Sequence, residues 1–306
     1  MTSIPWGGPV TFAAAPARRL VTLGVALTVG ATLLGAPAAG AAAPPEGAYW
    51  HTKELEASTH PWRFGTASAP YSLVQRRIAE TWSAPDGRSW MGHRDLGWRP
   101  TTAADRRAWR RDGSPSTWRE SVDGKRVKLS AKPAKGLVGP VRQERNQFRF
   151  AGQWLTYDEI QRLPADPGRL KDWLTRAGQA GQGDSGAGWL RNTLPGLLYD
   201  VPAPKEVRTA AYQALLTLPG VRAHGDAKDN LGRPGMAIVI DRRSEPENKT
   251  QPIMMSPRLI VDTGRMVLLS REQTVTFRGR LPPQKLYTTL IEVGWTDSRP
   301  AAPALP

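Results

Sequence analysis

The chain has 306 residues, a formal net charge of +15 and no cysteine. That length suits one domain of about two hundred residues or more behind a leader. The missing cysteines exclude disulfides, thiol nucleophiles, thiolate metal sites and a lipid-modified cysteine anchor.

The N-terminus predicts the compartment. Residues 1–19 carry no acidic side chain and end in Arg18-Arg19, Leu20 to Ala36 is a run of small and apolar residues, and Pro37 to Ala43 is rich in Ala and Gly with A-x-A spacing at Ala39/Ala41 and Ala41/Ala43. A charged segment, an apolar segment and a small-residue cleavage zone make an export signal. Left uncut, the same run approaches the ~20 residues of a spanning helix, with Arg18-Arg19 held inside. Arg18-Arg19 also permits twin-arginine export. Residues 1–45 are therefore an export signal or a single membrane anchor. Residues 46–299 form an extracytoplasmic domain, and residues 300–306 a disordered, frayed tail.

In the domain, Gly47 to Glu56 reads as a first strand, with Tyr49, His51, Lys53 and Leu55 on one face and Trp50, Thr52, Glu54 and Glu56 on the other. His60-Pro61 to Pro70 reads as loop, Tyr71 to Trp82 as a second strand, Pro85-Asp86-Gly87 as a turn and Ser89 to Trp98 as a third strand. Thr101 or Thr102 caps a short helix through Arg111 that Gly113 closes. Trp118 to Leu129 is a hairpin turned at Asp123-Gly124, Lys132 to Gly139 a surface loop and Gln147 to Leu155 a strand. Thr156-Tyr-Asp-Glu159 is a capping box for a helix that ends by Pro164. Asp166-Pro167 opens another helix, with Leu170, Trp173, Leu174 and Ala177 as its stripe. Gly178 to Gly188 reads as a Gly-rich link, and Trp189 to Tyr199 as a helix broken near Pro195-Gly196.

The clearest pattern follows. Val207, Ala211, Ala214, Leu215 and Leu218 recur at helical spacing after Pro204, and Pro219-Gly220 stops the helix. Val221 opens a hairpin turned at Asp229-Asn230-Leu231-Gly232 and returning through Met236 to Ile240. Arg258 to Val261 and Met266 to Leu269 form a second hairpin around Asp262-Thr263-Gly264, after a polar loop at Ser244 to Pro252. Tyr287 to Trp295 is a last strand. Strands in runs, with helices inserted between them, predict an α+β fold rather than alternating βαβ units.

Sequence motifs assign no catalytic, cofactor-binding or metal-binding residue. Gly181 to Gly186 matches G-x-G-x-x-G but follows a helix and lies in the Gly-rich link, the wrong context for a dinucleotide site. His51, His60, His93 and His224 are far apart in sequence, and His224, Asp226 and Asp229 read as turn residues. Glu54 and Glu56 read as a solvated strand face beside basic neighbours. An enzyme would need titratable groups to converge, and His51, Glu54 and Glu80 are the set to watch. Twelve Trp against five Phe read as packing residues. Between Asp86 and Phe150, sixteen Lys/Arg face seven Asp/Glu, with Trp90, Trp98, Trp109 and Trp118 interleaved. Outside the cytoplasm, such a basic region points to the cell membrane or to anionic envelope polymers, not to nucleic acid.

Several blocks together carry a family resemblance: Ala48-Tyr-Trp-His-Thr-Lys-Glu54, Trp109…Gly113-Ser-Pro115…Trp118, Leu163-Pro-Ala-Asp-Pro167…Leu170…Leu174, and Arg208-Thr-Ala-Ala-Tyr-Gln-Ala-Leu215…Leu218-Pro-Gly-Val221 with Gly232-Arg233. From about Tyr49 to Trp295 the chain resembles an actinobacterial extracytoplasmic family of unknown function named by locus tag (CU044-type). By element order it is also similar to lipoprotein-carrier and sigma-regulator domains (LolA-like, RseB-like). That likeness implies a curved antiparallel sheet covered by inserted helices, here expected after the one N-terminal apolar helix read from the leader. It is a likeness of fold alone and carries no function; the leading expectation for the domain is a non-catalytic one, binding a lipid, a lipoprotein or an anionic wall component. Two other classes stay open: a wall-acting hydrolase, and a cell-surface regulator signalling through a retained membrane helix. The expected address is the cell envelope, either secreted or single-pass with the C-terminal domain outside.

Overall fold

The computed structural model describes residues 45–122, 125–143, 145–182, 186–241, 253–276 and 283–306. The leader, the Asp123-Gly124 turn and the polar loop from Ser244 to Pro252 lie outside the described residues. The chain is α+β. Strands β1 (Tyr49–Thr66), β2 (Ala69–Ser83) and β3 (Ser89–Pro100) form an N-terminal meander. The segment His60 to Pro70, expected as loop, is strand on both sides of a tight turn at Ala67-Ser68. Pro61 does not end β1 because it falls inside a register irregularity between Thr59 and Arg63, where no ladder N–H is required of it.

Helix α1 (Ala103–Arg111) is capped by Thr102. Its Oγ1 accepts from the Asp105 N–H at 3.0 Å, while Asp105 accepts from the Thr102 N–H at 3.0 Å. Asp105 also accepts from the Ser72 N–H at 2.9 Å, so one carboxylate both caps the helix and ties it to β2. Beside it stands a hairpin of β4 (Thr117–Val122) and β5 (Lys125–Ser130). Tyr71, Leu73, Ala108, Trp118 and Leu129 form the small core joining helix, hairpin and sheet. Trp118 Nε1 donates to Tyr71 Oη at 2.9 Å, and Tyr71 Oη donates to Asp112 Oδ2 at 2.8 Å.

Three expectations in the middle of the chain are corrected. Within the expected loop Lys132 to Gly139 begins β6 (Leu137–Pro140), which pairs along the outer edge of β3. A short edge strand with two glycines nearby shows no alternation from which to read it. The expected single strand Gln147 to Leu155 is a hairpin, β7 (Phe148–Phe150) and β8 (Gln153–Leu155). Its turn places Ala151 at φ 52° and Gly152 at φ 77°. The Gly-rich link is in part helix: α3 runs Pro167–Gln182, past Gly178 and Gly181. A Cβ on Gly181 would lie 3.0 Å from the Gly152 carbonyl oxygen, so glycine there permits close approach of the helix to the β7–β8 turn.

Thr156 caps α2 (Tyr157–Gln161), with the Glu159 carboxylate returning to the Thr156 N–H at 2.7 Å. Then come α4 (Ala187–Thr193), a 3-10 segment at Leu194–Leu198 and α5 (Lys205–Leu216). The stripe Val207, Ala211, Ala214, Leu215 and Leu218 is buried as expected. Burial of Val207, Leu215 and Leu218 contributes about 1.5–3 kcal/mol for each, the alanines less. Gly220 takes φ 76° at the exit from the helix, and its carbonyl accepts from the Asp241 N–H at 2.7 Å.

Strands β9 (Val221–Lys228), β10 (Pro234–Ile240), β11 (Ile253–Asp262) and β12 (Val267–Thr276) form a second meander, and β13 (Gln284–Thr296) follows. All join one nine-stranded antiparallel sheet in the order β6-β3-β2-β1-β13-β12-β11-β10-β9. The main core lies between that sheet and the helices, with Trp50, Leu170, Leu174, Leu215, Ile238 and Leu290 among its buried members. The residues from Pro300 onward, expected as a frayed tail, are placed against the sheet: Pro303 is buried. A Cβ at Gly92 would lie 3.1 Å from Pro303 Cδ, and one at Gly136 would lie 2.9 Å from the Pro303 carbonyl. Two positions without side chains thus make a notch for one proline ring.

Candidate functional site

Strand alternation decides which titratable groups meet. In β1, His51 and Lys53 point to one face and Glu54 to the other. The register places His51 opposite Trp82 and Lys53 opposite Glu80 on β2, and Lys53 opposite Glu292 on β13. His51 Nε2 lies 3.3 Å from Glu80 Oε2, and Lys53 Nζ lies 3.2 Å from Glu80 Oε1. His51 stacks on Trp82 with centroids 5.0 Å apart and planes at 26°. Glu292 completes the group at longer range, 3.5 Å from His51 Nδ1 and 4.0 Å from Lys53 Nζ. Burial pushes the Glu80 carboxyl up, but the hydrogen bonds from His51 and Lys53 outweigh burial and leave it below its ordinary value.

These side chains line a cavity of ≈ 280 Å³, bounded on its other side by Ser298, Arg299 and Ala301 to Ala304. The tail is therefore one wall of the site. No group of three or more His, Asp or Glu among the described residues is arranged to hold a metal ion. In this cavity the Lys53 ammonium occupies the space between the carboxylates.

Glu54, the third member of the set to watch, lies on the helix-covered face. Its carboxyl is pushed up to about 7 by burial, then by Asp200 and Glu56, with Arg271 opposing. Asp200 is pushed up to about 6 by the dense packing around it, again against Arg271, although solvent reaches its own side chain. The Tyr199 hydroxyl is raised by the Asp200 charge and by burial. Asp200 is placed by the end of the 3-10 segment: its N–H donates to the Gly196 carbonyl at 2.8 Å, and the neighbouring Tyr199 carbonyl accepts from Trp50 Nε1 at 2.8 Å. Glu56, expected on a solvated face with basic neighbours, lies 3.8 Å from Arg77. His51 and Glu80 thus converge, while Glu54 faces a different group.

The remaining histidines do not join either cluster. His60 Nδ1 accepts from the Trp62 N–H at 3.1 Å and packs edge-on against Phe64 and Trp98. His93 and His224 are exposed. Asp229 serves its turn, accepting from the Leu231 and Arg233 N–H groups at 2.9 Å each and from Arg233 Nε at 2.8 Å. Arg233 in turn donates to the Leu290 carbonyl at 2.6 Å, which locks this turn onto β13.

Much of the basic region is exposed. On α1, Arg106, Arg107, Arg110 and Arg111 are all exposed, and Arg119 stands directly across the hairpin from Lys128. Asp105 is withdrawn from them by its capping and Ser72 bonds. No family model matches the chain, and no curated protein matches it. The sequence named His51, Glu54 and Glu80. It held no signal for Trp82, Asp200, Arg271 or Glu292, which enter only through cross-strand register and long-range packing.

Proposed function

We propose that this chain is an exported, non-catalytic protein of the cell envelope that docks through α1 and the β4–β5 hairpin onto a phosphate-bearing anionic surface, either lipid headgroups or wall polymer. One observation carries the reading: the arginines of α1 crowd one another without an ion pair to a carboxylate among the described residues. The pairs Arg106/Arg110 and Arg107/Arg111 are four apart on a helix, and like charges so placed destabilise it by about 0.2–0.5 kcal/mol each. Arg110 and Arg111 suit the C-terminal end of the dipole, but Arg106 and Arg107 gain nothing from it. Arg119 opposite Lys128 adds a like-charge pair across a hairpin. An external anion relieves all of these at once.

The leader, residues 1–45, supports an extracytoplasmic address, where nucleic acid is not the available polyanion. The likeness to the locus-tag-named extracytoplasmic family supports the same address. A carrier of an apolar lipid tail is less favoured, because helices fill the apolar face and the cavity beside His51 is lined by charged side chains. A wall-acting hydrolase is favoured by a single contact, His51 to Glu80. Regulation through a retained membrane helix concerns residues outside the described ones; no described helix is long and apolar enough to cross a membrane.

Binding to vesicles with and without phosphatidylglycerol, and to a soluble glycerol-phosphate polymer, tests the proposal. Each arginine near an anionic surface contributes about 1 kcal/mol. The double variant Arg106→Gln/Arg110→Gln is expected to bind about thirtyfold more weakly. The vesicle and polymer arms separate the two sources of phosphate. Equal binding to neutral vesicles, or no loss in the double variant, refutes the assignment.

A further inference from the structure

We propose that the cavity beside His51 is a separate binding site for a small anion, a carboxylate or a phosphate, and that the side chain of Glu292 holds its place when it is empty.

The argument starts from unequal contacts. Glu80 is buried and closely paired, with His51 Nε2 at 3.3 Å and Lys53 Nζ at 3.2 Å. Glu292 occupies the opposite side of the same two side chains but reaches them at only 3.5 and 4.0 Å, and its side chain is 56 % exposed. Charge-assisted hydrogen bonds between such groups close to about 2.7–2.9 Å. The position between His51 Nδ1 and Lys53 Nζ is therefore an anion seat that the protein's own carboxylate fills loosely. Both ring nitrogens of His51 face a carboxylate, Glu80 on one side and Glu292 on the other.

The surroundings suit a small ligand. Glu80 and Trp82 fix the ring from behind, by hydrogen bond and by stacking. Arg299 lines the cavity with no carboxylate partner among the described residues and supplies a further cation. The segment from Ser298 to Ala304 closes one side, anchored where Pro303 enters the notch at Gly92 and Gly136. The space, ≈ 280 Å³, admits a compact anion. The site lies near one end of β2, whereas α1 is tied to Ser72 near the other. Loss of one therefore need not disturb the other.

The test uses the purified protein with inorganic phosphate and with acetate as separate probes, followed by calorimetry and by the NMR shifts of the His51 ring. One of the two probes is expected to saturate the His51 shifts, and the tighter of them identifies the headgroup chemistry. Glu292→Gln removes the competing charge but keeps the shape of the side chain. It is expected to tighten binding about tenfold, whereas a residue with only a structural part would leave affinity unchanged or lower it. Lys53→Gln is expected to abolish saturation. Unchanged affinity in Glu292→Gln, or no saturable shift with either probe, overturns the proposal. So does binding that survives in a folded Lys53→Gln.

Discussion

Replacing Glu54 by Gln probes the cluster on the helix-covered face. The folded protein holds the Glu54 proton up to about pH 7, against an ordinary value of 4.5, with burial as the main cause and Asp200 second. Because its folded value is raised, the stability this group contributes is complete below about pH 4.5 and is lost as the pH rises through about 7. A tenfold change in proton affinity corresponds to about 1.36 kcal/mol, so the full effect has a ceiling of about 3 kcal/mol. Glu54 is only part-buried, and solvent screening reduces this to about 1–2 kcal/mol. Gln is neutral at every pH. The variant is therefore expected to be more stable than the parent by about 1–2 kcal/mol at pH 8, with the difference shrinking towards pH 5. In a domain of this size that corresponds to a Tm rise of about 2–8 °C at the higher pH. Urea and thermal unfolding of both proteins at pH 5 and pH 8 measure it. A variant equally or less stable at pH 8, or a difference that does not change with pH, refutes the electrostatic reasoning.

Other substitutions test separate joints of the fold. Tyr71→Phe leaves Trp118 Nε1 and the Asp112 carboxylate without their shared hydroxyl and is expected to cost about 1–3 kcal/mol in urea unfolding. Thr102→Ala removes the cap of α1 and is expected to cost about 1 kcal/mol, with amide exchange accelerating first in that helix. Leu215→Ala, at a site with 0 % exposure between α5 and the sheet, is expected to cost about 2–5 kcal/mol. Gly92→Val fills the notch beneath Pro303 and is expected to expose Ala301 to Ala304 to proteolysis while secondary structure, followed by circular dichroism, is unchanged.

What the sequence made legible was local chemistry. Capping boxes at Thr102 and Thr156 and the stop at Pro219-Gly220 act within a few residues, and each is in place. The hairpin turns at Pro85-Asp86-Gly87 and Asp229 to Gly232 belong to the same class. Element lengths were harder, since Pro61 in β1 and Gly181 in α3 carry opposite meanings once a bulge or a close neighbour is present. The assembly of the sites was not legible at all. Alternation along β1 separated His51 from Glu54 correctly, but only the register with β13 brings Glu292 to His51. Only the fold of the 3-10 segment brings Asp200 towards Glu54. Such pairings depend on contacts between residues more than a hundred positions apart, for which one sequence carries no local sign.

The sheet order has a bearing on how the chain comes together. The first meander and the last are each built from sequence neighbours, but β1 meets the second meander only through β13, which slots between β1 and β12. Tyr49 is matched with Thr296 across that seam. Closing so long a loop is entropically slow, and until it closes both meanders present a bare edge. Vectorial synthesis therefore delays completion of the sheet until its central strand emerges.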